Sequence, residues 1–387
     1  MAASDKPTVL IPGPVEFDDA VLGAMSHPSE SHVGGAFVNI FGETLSLLRK
    51  LFISEDPSAQ PLVVSGSGTL GWDFVAANLI EPKEDVLVLH TGYFADSFAS
   101  CIATYGGVPT QLKNPAGVGS RPTYEQIEQA LKEKKYKAIT ITHTDTSTGV
   151  LNDIKAISEV VRRVSPETLI VVDGVCSVGC EEIRFDDWGL DCVVTASQKA
   201  IGVPAGLSIC YLSGRAVRTF EERKTAPGSY FASFANWLPI MRNYEAKKPS
   251  YFATPSPQLV RALHTSLLQI LSIPLEERFA AHKTASQKVK NAIAELGLKQ
   301  LAQDPSQAAN GMTAVYFPEG VTAQDVLPKL LGRGVVFAGG LHKEIATKYF
   351  RFGHMGVSVM NKDLGHIDKG INALKEALSE SGYNGPK

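Results

Sequence analysis

The chain is short of three things, and each shortage closes off a class of function. Cysteine is scarce: five in 387 residues (Cys101, Cys176, Cys180, Cys192 and Cys210) cannot build a disulfide framework. Three residues separate Cys176 from Cys180, but no second Cys or His pair stands at zinc-finger spacing, so no metal is expected. The five read as small buried hydrophobes of a reducing compartment. Neither charge dominates: 37 basic residues against 40 acidic ones give −3. No Lys/Arg stripe interleaves with aromatics, which argues against a nucleic-acid partner. Long apolar runs are missing too, none approaching the roughly 18–20 residues of a membrane helix. The opening MAASDKPTVL lacks both the basic and the apolar region of a signal peptide. The closing Gly385-Pro386-Lys387 is unlike the usual peroxisomal tripeptide. A soluble cytoplasmic enzyme or binding protein is expected, with peroxisome and mitochondrion left open.

What is present is an ordinary globular composition, 44% hydrophobic and 20% charged, on a length that suits about two to three domains. Short apolar runs alternate with helical patterns through the first 215 residues. Strands are expected at Leu62–Val64, Val86–Leu89, Ala138–Thr142, Leu169–Asp173, Cys192–Thr195 and Leu207–Tyr211. Helices are expected from about Gly68 to before Pro82, up to Gly106-Gly107, and from about Asp153 to Arg163. Thr123-x-x-Gln126 is a capping box that opens another, reaching about Lys134. The strands are continuous Val/Ile/Leu runs rather than alternating ones, which predicts a mostly parallel sheet buried on both faces. Residues 217–254 read as a long, aromatic-rich connection. A helical region from Pro257 to about Leu296 follows, then strands at Thr313–Phe317, Val335–Phe337 and Tyr349–Phe352. That tail predicts a smaller α+β unit.

Three local signals carry chemistry. Ser65-Gly-Ser-Gly-Thr-Leu-Gly71 follows a strand and opens a helix, where free backbone N–H groups and hydroxyls cradle a phosphate. It also fits G-x-G-x-x-G, but a dinucleotide site needs an acid at the end of the next strand, and that strand ends Leu89-His90-Thr91-Gly92. Tight packing of a strand–helix turn is the plain alternative. Asp173 closes a buried strand, a ligand-binding position in α/β sheets, although an Asp before Gly174 also suits a simple turn. Lys199 follows the strand Cys192–Thr195 among small neutral residues. Desolvation there would favour a neutral, nucleophilic amine, whereas most lysines are solvated surface groups. Together, a phosphate cup, a strand-end acid and a buried lysine are what pyridoxal phosphate requires.

The motifs Ile11-Pro-Gly-Pro14, Ser65-Gly-Ser-Gly-Thr69, Thr142-His143, Ser147-Thr-Gly-Val150, Val172-Asp173-Gly-Val-Cys-Ser177, Ser197-Gln-Lys199 and Arg351-Phe-Gly-His-Met-Gly356 occur in this order along nearly the whole chain. In order and spacing they resemble the class V, fold type I pyridoxal-phosphate aminotransferases, close to the alanine–glyoxylate and serine–pyruvate enzymes. The resemblance implies an α/β fold with a mostly parallel seven-stranded sheet in a large cofactor domain (residues 21–255). It also implies an N-terminal substrate-side segment (1–20) and a small C-terminal α+β domain (256–387).

Site roles follow from the same resemblance. Lys199 would hold pyridoxal 5′-phosphate covalently and then move the substrate Cα proton. Asp173 would face the ring nitrogen, with Val175 against one ring face and Phe94 against the other. Ser67, Gly68, Thr69 and Gln198 would hold the phosphate. Tyr251 and Thr254 would reach it from the neighbouring subunit of a homodimer with shared sites. Ser147 would lie near the cofactor hydroxyl and the substrate carboxylate, and the backbone of Gly13 would face the substrate.

Arg351 would bind the carboxylate of small amino-acid and 2-oxo-acid substrates through its bidentate fork, unless it is a structural salt bridge. The implied reaction passes the amino group of L-alanine to glyoxylate, giving pyruvate and glycine, with serine as the runner-up donor. Cysteine desulfurases need a nucleophilic Cys late in the chain, and none follows Cys210. Phosphoserine aminotransferase needs further basic groups, for which only His32, His342 and Arg333 are candidates. A nicotinamide-dependent dehydrogenase would leave Lys199 unexplained, and so would a non-catalytic cofactor scaffold.

Overall fold

Seven strands, largely buried except at one edge, form the central sheet of the computed structural model, which describes residues 6–383 and 385. The first five residues of the expected N-terminal segment, and Pro386 and Lys387 of the closing tripeptide, lie outside the described residues. In spatial order the strands are Gln60–Ser65, Leu207–Leu212, Cys192–Ala196, Leu169–Asp173, Ala138–Thr142, Asp85–Leu89 and Val108–Leu112. Leu207–Leu212 is antiparallel to both its neighbours, and every other pairing is parallel. Strands such as Leu169–Asp173 are buried at all five positions, as their unbroken Val/Ile runs require of a sheet covered on both faces.

Register places the chemistry. Thr142 pairs with Asp173 and Asp173 with Val194, so the carboxyl ends of three neighbouring strands meet at one edge. The helix Gly68–Leu79 starts at that same edge, and Ser67 caps it without a side-chain bond, leaving its first N–H groups free. Thr123 and Gln126 form the expected capping box, on the helix Tyr124–Glu133.

Several elements depart from the sequence pattern, among them the helices Asp19–Met25 and Gly35–Leu51, which were not expected. Val108–Leu112 is a strand where none was expected; it is the sheet edge, partly exposed, and carries Pro109, which an edge tolerates. The stretch 217–254 is not wholly irregular either. It holds the helix Phe234–Glu245, which tolerates Pro239 and buries Phe234, Trp237, Met241 and Tyr244. The helical region after Pro257 is two helices, Pro257–Ile270 and Leu275–Glu295, separated before Pro274. Among the described residues, no helix is long and apolar enough to cross a membrane.

A second sheet, Met312–Tyr316, Tyr349–Gly353 and Ala338–Gly339, sits over its own apolar cluster, where Phe337 stacks on Phe352 at 4.3 Å. Side chains alternate along Tyr349–Gly353. Phe350 and Phe352 enter that cluster, while Tyr349 and Arg351 point the other way, toward the central sheet. Thr8–Val9 pairs in parallel with Val335–Val336, tying the N-terminal segment to the C-terminal part.

Candidate active site

A cavity of about 130 Å³ opens at the carboxyl edge of the central sheet. Ser67, Gly68, Thr69, Phe94, Asp173, Val175, Gln198 and Lys199, widely separated in sequence, all line it. Trp72, Thr142, Thr144, Thr146 and Cys176 complete the wall.

Asp173 forms the floor. It is 3% exposed, accepts the Val175 amide at 3.0 Å and the Trp72 indole N–H at 3.0 Å, and is pushed up to about 6 by burial. A carboxyl in this state gains from a cation placed beside it. Lys199 is largely buried in the turn after Cys192–Ala196 and donates to the carbonyl of Pro12. Burial, with Arg351 nearby, draws its ammonium below the usual lysine range. Gly13, at φ +102°, lies so close that any Cβ there would collide with the Lys199 side chain. Only glycine suits both that backbone and that contact. Gly68 is constrained similarly: a Cβ would meet Val175 Cγ2 at 2.9 Å and Ala196 Cβ at 3.2 Å.

Arg351 comes in from the second sheet. Its Nε donates to the Gly339 carbonyl at 2.7 Å and its Nη1 to the Thr146 carbonyl at 3.2 Å. Among the described residues no carboxylate pairs with it, so the structural salt bridge weighed from the sequence is not formed. Burial draws its pKa down, outweighing the opposing pull of nearby Tyr349, Cys176 and Asp145.

Other expected site residues stand apart from the cavity. The Ser147 hydroxyl does not line it; it donates to Asp145 Oδ1 at 2.6 Å and accepts the Tyr93 amide at 2.9 Å. Tyr251 is 60% exposed with its ring 5.0 Å from that of His32, and Thr254 is also exposed; neither lines the cavity. Arg333 is spent on Glu376 and Glu380. Cys176 is pushed up to about 12 by burial, an inert thiol.

Sequence reasoning missed Trp72, Thr144, Asp145 and Tyr349. Asp145 is wholly buried and anchors Ser147, while Tyr349 donates to the Ser147 carbonyl. The run Thr142-His-Thr-Asp-Thr-Ser-Thr148 just after a buried strand was the available signal, and Trp72 stands one helical turn after Gly68.

The residues present fit pyridoxal phosphate on two observations. Thr144 Oγ1 and Gln198 Oε1 are buried polar atoms of the wall with no partner among the described residues, and the helix Gly68–Leu79 starts without a side-chain cap, its first N–H groups open to a phosphate. Fold and site together define a pyridoxal-phosphate-dependent enzyme of fold type I.

The family model described as Aminotransferase class-V matches residues 2–359. The chain is 44% identical over 379 residues to alanine–glyoxylate aminotransferase 1 of Saccharomyces cerevisiae, covering 96% of this chain and 97% of the relative. It is 29% identical to the serine–glyoxylate aminotransferase of Hyphomicrobium methylovorum, over 98% and 91% of the two chains. The solved structure of an alanine–glyoxylate aminotransferase from Nostoc sp. superposes with a TM-score of 0.88 at 28% identity, over 96% and 95% of the chains. The chain belongs to the class V aminotransferases and is a pyridoxal-phosphate-dependent transaminase.

Proposed function

We propose that the enzyme moves the amino group of L-alanine to glyoxylate, yielding pyruvate and glycine. The observation that carries this reading is Arg351: a half-buried guanidinium, ion-paired with no carboxylate among the described residues, close enough to Lys199 to lower its pKa. Both an amino acid and a 2-oxo acid offer the planar carboxylate that such a fork takes. A glycine at position 13, against the Lys199 side chain, puts no side chain of its own in a substrate's way. The yeast relative, named for the same pair, supports the choice.

Pyridoxal phosphate, when bound, supplies the electron sink that makes loss of the substrate Cα proton feasible. Ser67, Gly68, Thr69 and Gln198 would hold its phosphate, Asp173 its ring nitrogen, and Val175 and Phe94 its two faces. Lys199, its amine favoured by burial, would accept the Cα proton and deliver it to the cofactor carbon on the far side of the nitrogen. Trp72 keeps Asp173 oriented, and Arg351 fixes the substrate carboxylate. Each substrate would use the same Arg351 in turn, so the kinetics should be ping-pong. The exposed Tyr251 and Thr254 are assigned to the phosphate of a neighbouring subunit in a homodimer, and Ser147 to the hydroxyl side of the cofactor. Five unbridged cysteines suit a reducing compartment such as the cytoplasm.

A serine donor is the second reading, favoured by the unpartnered Thr144 hydroxyl in the wall. The deciding experiment measures initial rates with alanine, serine, aspartate and glutamate against glyoxylate and pyruvate. Highest kcat/KM for alanine with glyoxylate is expected. A preference for serine would move the donor, and activity with neither would overturn both readings.

A further inference from the structure

A second hollow, of about 290 Å³, lies against the loop that follows Lys199 and shares no lining residue with the cofactor cavity. Val21, Ile201, Ile270, Ile273, Val357 and Met360 give it apolar walls. Arg278, in the first turn of the helix Leu275–Glu295, lines it while being only 6% exposed. Its Nε donates to the Gly179 carbonyl at 2.7 Å and its Nη2 to the Ala200 carbonyl at 2.9 Å. Nη1 has no acceptor among the described residues, and no carboxylate there pairs with the guanidinium. Burial brings its pKa down to about 10, as for a cation that has lost water and gained no counter-ion. Asp18, also on the wall, is committed elsewhere: its Oδ1 accepts the Ala20 amide at 2.9 Å and Gln269 Nε2 at 2.9 Å.

We propose that this hollow binds a small aliphatic monocarboxylate, its carboxylate on Arg278 Nη1 and its chain against the apolar walls. A single guanidinium, with the Asp18 carboxylate elsewhere on the wall, suits one negative charge better than a phosphate dianion. The volume is at the lower end of the roughly 300–1,000 Å³ of small-ligand sites, which suits a short chain. Because Arg278 also holds the carbonyl of Ala200, the bound acid would sit one residue from Lys199 in sequence while staying outside the reaction.

The test is calorimetric titration of butyrate, which carries no amino or oxo group, into holoenzyme bearing Arg351→Met. That variant removes the carboxylate partner of the active site, so remaining binding reports on the hollow. One binding event is expected, weakened at least about tenfold by Arg278→Met, the loss of a charged hydrogen bond. Ile273→Trp, which fills the hollow and leaves the guanidinium in place, should weaken it as much, and decides the matter if Arg278→Met does not fold. Absence of butyrate binding in the Arg351→Met enzyme would overturn the proposal. So would binding that survives Ile273→Trp or a folded Arg278→Met, or inorganic phosphate binding more tightly than butyrate.

Discussion

The indole N–H of Trp72 and the amide of Val175 grip opposite oxygens of Asp173, each at 3.0 Å, so the carboxylate cannot rotate. Trp72→Phe keeps the ring but orphans a buried carboxylate oxygen, at a cost of about 1–3 kcal/mol. Cofactor affinity, read by titrating the apoenzyme with pyridoxal phosphate, should fall roughly tenfold. Unchanged affinity would mean the bond serves only local packing.

Asp173 also predicts a pH dependence of the apoenzyme. Burial raises its pKa from 3.8 to about 6, so between these values the folded state holds a proton that the unfolded chain has released. Stability contributed by this group therefore falls as pH rises from about 4 to about 6, and the penalty is fully present above that, on the order of 2–3 kcal/mol. Apo Asp173→Asn should accordingly melt above apo wild type at pH 8 and lose that advantage below pH 4. Loaded with cofactor, the order should reverse, because on the proposed role of Asp173 the variant would lack the anion that pairs with the ring cation. A pH-independent difference between the apo forms would refute the assignment.

Lys199 should be indispensable in a way its neighbours are not. On the proposed roles, Lys199→Ala would remove both the covalent anchor and the proton carrier, and the transamination rate should drop by roughly 10²–10⁴-fold or more. The visible absorbance of the lysine-bound cofactor should vanish even with cofactor added in excess. Persistence of that band would sink the assignment.

Much of this was legible in the chain, and the remainder was hidden for identifiable reasons. Strands such as Leu169–Asp173 announce themselves because burial on both faces demands unbroken Val/Ile runs, and strand-end position singled out Asp173 and Lys199. The Thr123–Gln126 capping box is local, so four residues suffice to see it. Val108–Leu112 escaped because an edge strand carries polar residues and proline that a central one would not. The helix Phe234–Glu245 escaped because Pro239 and its aromatic surroundings mimic a loop. Trp72 meets Asp173 across 101 residues of chain, a pairing that only the assembled sheet creates. Arg351 could be placed on a strand, but not shown to lack an acidic partner until its surroundings were assembled.

Substitution of Arg351 should separate substrate binding from the chemical machinery. Lysine keeps the charge but loses the planar fork, forfeiting at least one charged hydrogen bond, about 1.5–3 kcal/mol. KM should rise roughly ten- to a hundredfold for the amino acid and the oxo acid alike, with the cofactor spectrum intact. A rise for only one substrate would argue that Arg351 shapes the loop at Thr146 rather than holding a shared carboxylate.

Asp145 should act on substrate binding through the backbone it fixes. Its Oδ1 accepts both the hydroxyl of Ser147 at 2.6 Å and the amide of Ser147 at 3.0 Å, closing a buried turn. From that turn the Thr146 carbonyl takes Arg351 Nη1 at 3.2 Å, and the Ser147 carbonyl takes the Tyr349 hydroxyl. Asp145→Ala removes both bonds and leaves the Ser147 hydroxyl proton without an acceptor, though its oxygen still takes the Tyr93 amide, a loss of about 1–3 kcal/mol. KM for both acids should then rise roughly tenfold or more while the cofactor absorbance stays. Asn keeps an acceptor at Oδ1, and Oδ2, which feels the Ala95 amide, makes no hydrogen bond of ordinary geometry among the described residues. Asp145→Asn should therefore restore KM to within about threefold of wild type, a gap of under 1 kcal/mol. If Asn fails as badly as Ala, the negative charge itself is required, and Asp145 would act on Arg351 electrostatically rather than through the turn.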